Sequence, residues 1–188
     1  MKNNTLIFNL IPLNNINSKS TKFILYVFFG SLLIAISSKI QVPFWPVPMT
    51  MQTFVVMFIS MAYGWRLAFS TLAFYLFQGA LGIPVFATGS GIAYLVGPTG
   101  GYLLGMLIAS AIMGYFADLG YGKNILKCLL PLSLGTIIIF TFGVGYLGTI
   151  IGFDRALQAG LLPFIPSEIF KIGLALILVP QIWKIVKS

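Results

Sequence analysis

Six apolar runs follow one another along the chain, at residues 23–38, 49–63, 67–81, 99–117, 128–151 and 165–179, the last extending to Trp183. Polar or turn-forming groups close several of them: Lys39 the first, Gly64-Trp65-Arg66 the second, Asp118 the fourth. A membrane span takes about 20 apolar residues, within a range of roughly 17–25. The second, third and sixth runs are short on that scale. They predict tilted or interrupted helices whose ends are covered by their neighbours. Ahead of the first run, residues 1–22 read as a cytoplasmic arm. The stretch 6–13 is interrupted by Asn9 and Pro12 and leads into polar residues rather than a small-residue cleavage site. The pattern predicts an all-α integral membrane protein with one domain, residues 23–188, forming a compact bundle of six transmembrane helices with long outer loops.

Two connections depart from the helical pattern. Residues 41–50, Gln-Val-Pro-Phe-Trp-Pro-Val-Pro-Met-Thr, hold three prolines and two aromatics and cannot form a continuous helix. Residues 82–98 carry no charge and much glycine. Nonhelical apolar backbone at a membrane face must be covered by protein or line a cavity. The two connections fall on the same, outer face. They form either the mouth of a binding pocket or interfacial loops with an aromatic belt.

Composition and charge reinforce the membrane reading. Hydrophobic residues make up 59% of the 188 and charged residues 7%, against about 25% charged in soluble domains. With both termini inside, Lys2, Lys19, Lys22, Arg66, Lys123, Lys127, Lys184 and Lys187 lie on the cytoplasmic side, and only Lys39 and Arg155 lie outside. That asymmetry follows the positive-inside rule. It also accounts for the net charge of +8 without a nucleic-acid surface. Asp118 reads as a cytoplasmic loop charge, and Asp154 and Arg155 as part of an outer loop or short interfacial helix over residues 153–160.

Several chemistries are excluded. The chain has no His, one Cys (Cys128) and three scattered acids, Asp118, Asp154 and Glu168. These cannot supply a catalytic Ser-His-Asp triad, an imidazole metal site or a carboxylate metal cluster. No phosphate-binding G-x-x-x-x-G-K-[ST] sequence is present. The expectation is a protein that is not an enzyme, has no ATPase site of its own and holds no metal or cofactor.

Three features remain. Gly97, Gly101, Gly105 and Ala109 form a small-residue stripe, and Ser31 and Ala35, with Gly30 beside them, form a shorter one. Either stripe serves internal packing or the docking of another membrane subunit. Gly97-Pro-Thr-Gly-Gly-Tyr102 opens a helix, as an anion-holding turn or simply a tight entry. Glu168 and Lys171 share one face of the last run at i, i+3. Ionisable groups at that depth are costly; they form either a structural ion pair or a ligand site facing a cavity.

The chain resembles the BioY family, the biotin-binding S components of energy-coupling factor (ECF) transporters. The likeness rests on four groups of residues in order: Val42-Pro43 with Pro46-Val-Pro-Met-Thr-Met-Gln-Thr53; Gly64-Trp-Arg-Leu67 with Tyr75-Leu-Phe-Gln-Gly-Ala-Leu-Gly-Ile-Pro-Val-Phe86; Gly97-Pro-Thr-Gly-Gly-Tyr-Leu103; and Leu162-Pro-Phe-Ile-Pro-Ser-Glu-Ile-Phe-Lys171. It covers about residues 24–180. The acidic position before Lys171 is typically Asp in the family and here is Glu168.

The resemblance implies six helices, cytoplasmic termini and a biotin pocket on the outer side of the bacterial cytoplasmic membrane. It implies a transmembrane coupling subunit and two ATPase subunits as partners, with biotin as cargo rather than cofactor. Glu168 and Lys171 are then the polar anchors for biotin. Phe44, Trp45, Phe86 and Tyr94 are candidates to cover its ring, and Gln52, Gln78, Thr88, Ser90 and Tyr102 are candidates for further contacts. Ser31 and Ala35 stand where family members carry coupling-face alanines. Three other readings stay open: an S component for thiamine or riboflavin, a small polytopic membrane enzyme, and a structural membrane subunit.

Overall fold

The computed structural model describes residues 6–7 and 18–187. Lys2 and the rest of the N-terminal arm before residue 18, apart from Leu6 and Ile7, lie outside that description. Helix α1, Lys19–Lys39, begins four residues before the apolar run because Ser18 caps it. The Ser18 hydroxyl accepts from the Thr21 N–H at 3.4 Å. After α1 comes a small antiparallel ribbon, β1 (Gln41–Val42) and β2 (Met49–Thr50), with Gln41 opposite Thr50. An all-helical reading did not anticipate this ribbon. Its strands lie outside the proline-rich stretch, so Pro43, Pro46 and Pro48 remove no ladder hydrogen bond.

Helices α2 (Gln52–Tyr63) and α3 (Trp65–Ala80) are separated only by Gly64, whose φ of 77° favours glycine. A single helical turn, α4 (Ile92–Leu95), interrupts the long connection between α3 and the next long helix. It is followed by α5 (Gly100–Asp118), α6 (Ile125–Ile151), the short α7 (Phe153–Gly160) and α8 (Ile165–Lys187). Among the described residues, α1, α5, α6 and the stretch Phe153–Ile185 are long and apolar enough to cross a membrane. α2 is apolar but only 12 residues long, in keeping with the short second run. α8 runs on through Pro180, beyond the sixth apolar run.

The bundle is drawn together by close backbone approach. A Cβ on Gly101 would lie 2.4 Å from the Phe142 carbonyl oxygen, and one on Gly105 would lie 2.9 Å from Ile139 Cα. The small-residue stripe on α5 is therefore its contact with α6, and Ala109 continues it in full burial. Gly97 lies before the helix. Its N–H donates to the Tyr94 carbonyl at 3.2 Å, and the Gly100 N–H to the Gly97 carbonyl at 2.9 Å. Those two bonds make the entry to α5 a tight turn.

On α1, Ser31 is buried and its hydroxyl donates to the Phe28 carbonyl at 2.8 Å. Ala35 is half-buried. The Ser31 position packs inward and offers no free docking face. At the end of the bundle carrying Trp65, Asp118 proves to be more than a loop charge. Its carboxylate accepts from the Trp65 N–H at 3.1 Å and caps α3 from another helix.

Candidate ligand site

The polar centre of the molecule is a three-residue contact joining α2 and α8. Glu168, in the first turn of α8, is 4% exposed, and Lys171, one turn on, is 3% exposed. The Lys171 ammonium donates to Glu168 Oε1 at 2.6 Å and to Thr53 Oγ1 at 3.0 Å. The Thr53 hydroxyl donates to the same Glu168 Oε1 at 2.8 Å. One carboxylate oxygen thus receives two donors while the other, Oε2, is buried with no partner.

An unpaired buried acceptor costs about 1–3 kcal/mol. A buried ion pair is weak evidence for stability, because desolvation offsets its attraction. An apolar replacement would serve packing better, so the arrangement is best explained by what it can bind.

These groups border a cavity of about 40 Å³ between the two irregular connections and the helices. One side is formed by Tyr102, Leu103 and Met106 of α5 with Ile139 and Phe140 of α6; the other is formed by Phe86, Ala87 and Tyr94. Val47, Pro48 and Phe164 complete the apolar part, Thr50 and Thr99 add hydroxyl-bearing side chains, and Gln52 lines the cavity while its Nε2 is buried and unpartnered. The aromatic walls are interlocked. Phe86 stacks on Tyr94 at 4.9 Å between ring centroids and meets Tyr75 edge-on at 5.5 Å. Tyr102 is fixed by its hydroxyl, which donates to the Gly160 carbonyl at 2.8 Å. Its ring lies where a Cβ on Gly143 would be. The cavity has the usual form of a small-molecule site, apolar walls with few polar anchors. Two wider grooves, of about 450 and 740 Å³, open on the outside of α6. Their linings are mostly apolar; the smaller also reaches Glu168, Thr136 and Thr141, but neither includes Lys171, Thr53 or Gln52, so neither gathers the polar anchors that meet at the first cavity.

Of the residues singled out from the sequence, Glu168, Lys171, Gln52, Phe86, Tyr94 and Tyr102 meet at this cavity. Phe44 does not line it, but its ring packs edge-on at 6.2 Å against Phe164, which does. Trp45 is 83% exposed, at a bend between prolines that turns it away from the cavity. Thr88 is exposed, and Gln78 and Ser90 are half-buried outside the lining. Trp45, Thr88 and Ser90 are loop side chains, with no periodicity to fix their direction; Gln78 lies near the end of α3, on a face of that helix that does not line the cavity.

Thr53, Thr50, Phe140 and Phe164 went unrecognised. Thr53 stood beside Gln52 in a quoted motif, and a hydroxyl on an apolar helix was the available signal. Phe140 and Phe164 carry no signal in so apolar a chain.

A family model described as the BioY family matches residues 9–188. A protein named "Probable biotin transporter BioY" from Pyrococcus horikoshii is 39% identical, over 80% of this chain and 89% of that one. A protein of the same name from Rickettsia prowazekii is 35% identical, over 79% of this chain and 77% of that one. The crystal structure of the S-component for biotin from an ECF-type ABC transporter superposes with a TM-score of 0.77 and 26% identity, covering 90% of this chain and 94% of the other.

Proposed function

The chain belongs to the BioY family, and we propose that it captures biotin at the outer face of the cytoplasmic membrane for import driven by partner subunits. The observation that carries this reading is that two residues lining one cavity each hold an unsatisfied buried polar atom, the acceptor Glu168 Oε2 and the donor Gln52 Nε2. Biotin's ureido group offers N–H donors beside a carbonyl acceptor. Its N–H groups suit Glu168 Oε2; its carbonyl suits Gln52 Nε2 or the remaining N–H of Lys171. Charge-assisted hydrogen bonds of this kind are strong when the partners match. A ligand lacking them leaves buried groups unpaired and is rejected. The thioether ring and the valerate chain fit the aromatic and aliphatic walls.

In this reading six helices span the membrane, α2 and α3 being short ones, and both termini lie in the cytoplasm. The chain binds the vitamin and leaves ATP hydrolysis to its partners; it has no phosphate-binding Walker sequence. A transmembrane coupling subunit and two ATPase subunits supply the energy. The comparison with an S-component of an ECF-type transporter supports that division of labour.

The test is biotin binding by the purified protein in detergent, wild type beside Lys171→Ala, with thiamine and riboflavin as competitors. Tight wild-type binding, weakened by about a hundredfold or more in the variant because a carboxylate is left buried and unpaired, is expected. No biotin binding by well-folded wild type, or displacement by another vitamin, overturns the reading.

A further inference from the structure

The cavity measures about 40 Å³, whereas pockets that enclose a ligand of drug-like size run to roughly 300–1,000 Å³. One wall has to move for such a ligand to enter and leave. The α5–α6 wall is ill suited to that, since its helices meet glycine against backbone. The opposite wall, Phe86, Ala87 and Tyr94, belongs to a connection with no regular structure apart from α4.

Irregular buried backbone must find hydrogen-bond partners outside itself. Here three consecutive carbonyls find them in side chains of other elements. The Val85 carbonyl accepts from the Ser38 hydroxyl at 2.7 Å and the Tyr75 hydroxyl at 3.1 Å. The Phe86 carbonyl accepts from the Lys39 ammonium. The Ala87 carbonyl accepts from Gln41 Nε2 at 3.3 Å. Ser38 and Lys39 form the last turn of α1, Gln41 opens β1, and Tyr75 stands on α3. None of the four lines the cavity.

We propose that Ser38, Lys39, Gln41 and Tyr75 form a catch that holds the mobile wall of the ligand cavity closed, and so sets how long the ligand stays. They are positioning residues, acting on ligand through the backbone of Val85, Phe86 and Ala87. The proposal rests on the reading of this cavity as the biotin site. Ser38 and Tyr75 are fully buried, while Lys39 is exposed and contributes a charge-assisted bond. Lys39 is therefore the member whose own donor can turn to solvent on letting go, and only the Phe86 carbonyl then has to find a new partner. Because Ser38 and Lys39 end α1, a displacement of that helix end reaches Phe86 and Ala87 in one step.

The experiment uses the full chain in detergent, with Lys39→Met, Lys39→Arg and the double variant Lys39→Met/Gln41→Leu. Hydrogen exchange over residues 84–95 without ligand should accelerate on the order of tenfold in Lys39→Met, more in the double variant, and little elsewhere. Biotin dissociation should quicken by roughly 5- to 20-fold, with association changed less than about threefold. Lys39→Arg should restore both. Unchanged exchange in the double variant overturns the proposal. So does unchanged dissociation in a variant whose exchange has risen. Failure of the wild type to bind biotin sinks the biotin reading instead, while the exchange arm, which needs no ligand, still decides whether the catch exists.

Discussion

On one side of the cavity α5 and α6 meet with glycine against backbone at Gly101 and Gly105; on the other, Val85, Phe86 and Ala87 hang by their carbonyls from side chains of α1, β1 and α3. The first wall is fixed by shape. Its glycines permit a separation that any added atom would break, and many dispersion contacts across the seam resist opening together. The second is held by the Phe86 ring, seated where a Cβ on Gly79 would be and interlocked with Tyr75 and Tyr94, and by a few hydrogen bonds to irregular backbone; those few bonds are the part that exchange can release. A binding protein that must also give up its ligand needs both: an unyielding surface to define the ligand's shape and a releasable one to govern its departure.

The contrast is broken most directly at the seam. Gly101→Ala forces a Cβ to within 2.4 Å of a carbonyl oxygen, so the helices must part. Overpacking of this kind costs about 1–3 kcal/mol, and the melting temperature should fall by roughly 5–10 °C. Gly145→Ala on the outside of the same α6 meets nothing within 4 Å and should leave the melting temperature unchanged or slightly higher. Equal effects of the two substitutions would show that the seam is not the tight wall.

A smaller effect separates the polar anchors from the wall that moves. Thr53→Val keeps the side-chain shape but removes the hydroxyl between Lys171 and Glu168. Biotin affinity, read by calorimetric titration, should fall by roughly fivefold, the worth of about one hydrogen bond. Exchange over residues 84–95 should stay at the wild-type rate, unlike in Lys39→Met. Smallest of all is Trp45→Phe. With Trp45 pointing outward, affinity should stay within about twofold, and a large loss would return this side chain to the cavity.

Much of this was legible in the amino-acid sequence, for reasons that differ from residue to residue. The helices could be read because apolar runs of that length have few alternatives in lipid. Glu168 and Lys171 could be read because charge is rare there, and rarity gave their spacing meaning. Gly101 and Gly105 declared a close contact but not its partner, which depends on how α5 is rotated against α6. Thr53 was hidden for a similar reason, since its role arises only when α2 faces α8. The catch lay beyond any sequence reading. Its acceptors are backbone carbonyls, which every residue carries, and its donor Lys39 had already found an explanation as a topological charge. Trp45 misled in the opposite direction, an aromatic in a promising loop whose bend turns it outward.

The hydroxyl groups along the helices carry a further consequence. Those of Ser31, Ser37, Ser60, Thr71, Ser110, Thr136 and Thr141 each donate to a carbonyl three or four residues earlier in their own helix. Such bonds neutralise the polarity of a residue without binding it to a neighbour. Ser60, Thr71 and Ser110 are fully buried, and the Thr71 methyl meets α1 at Gly30, so their size is fixed by packing; half-buried Thr136 and exposed Thr141 are free to drift between serine, threonine and alanine with little effect on how the helices fit together. Substitutions there are a practical route to more robust variants for handling outside the membrane, because they leave the anchors and the catch untouched.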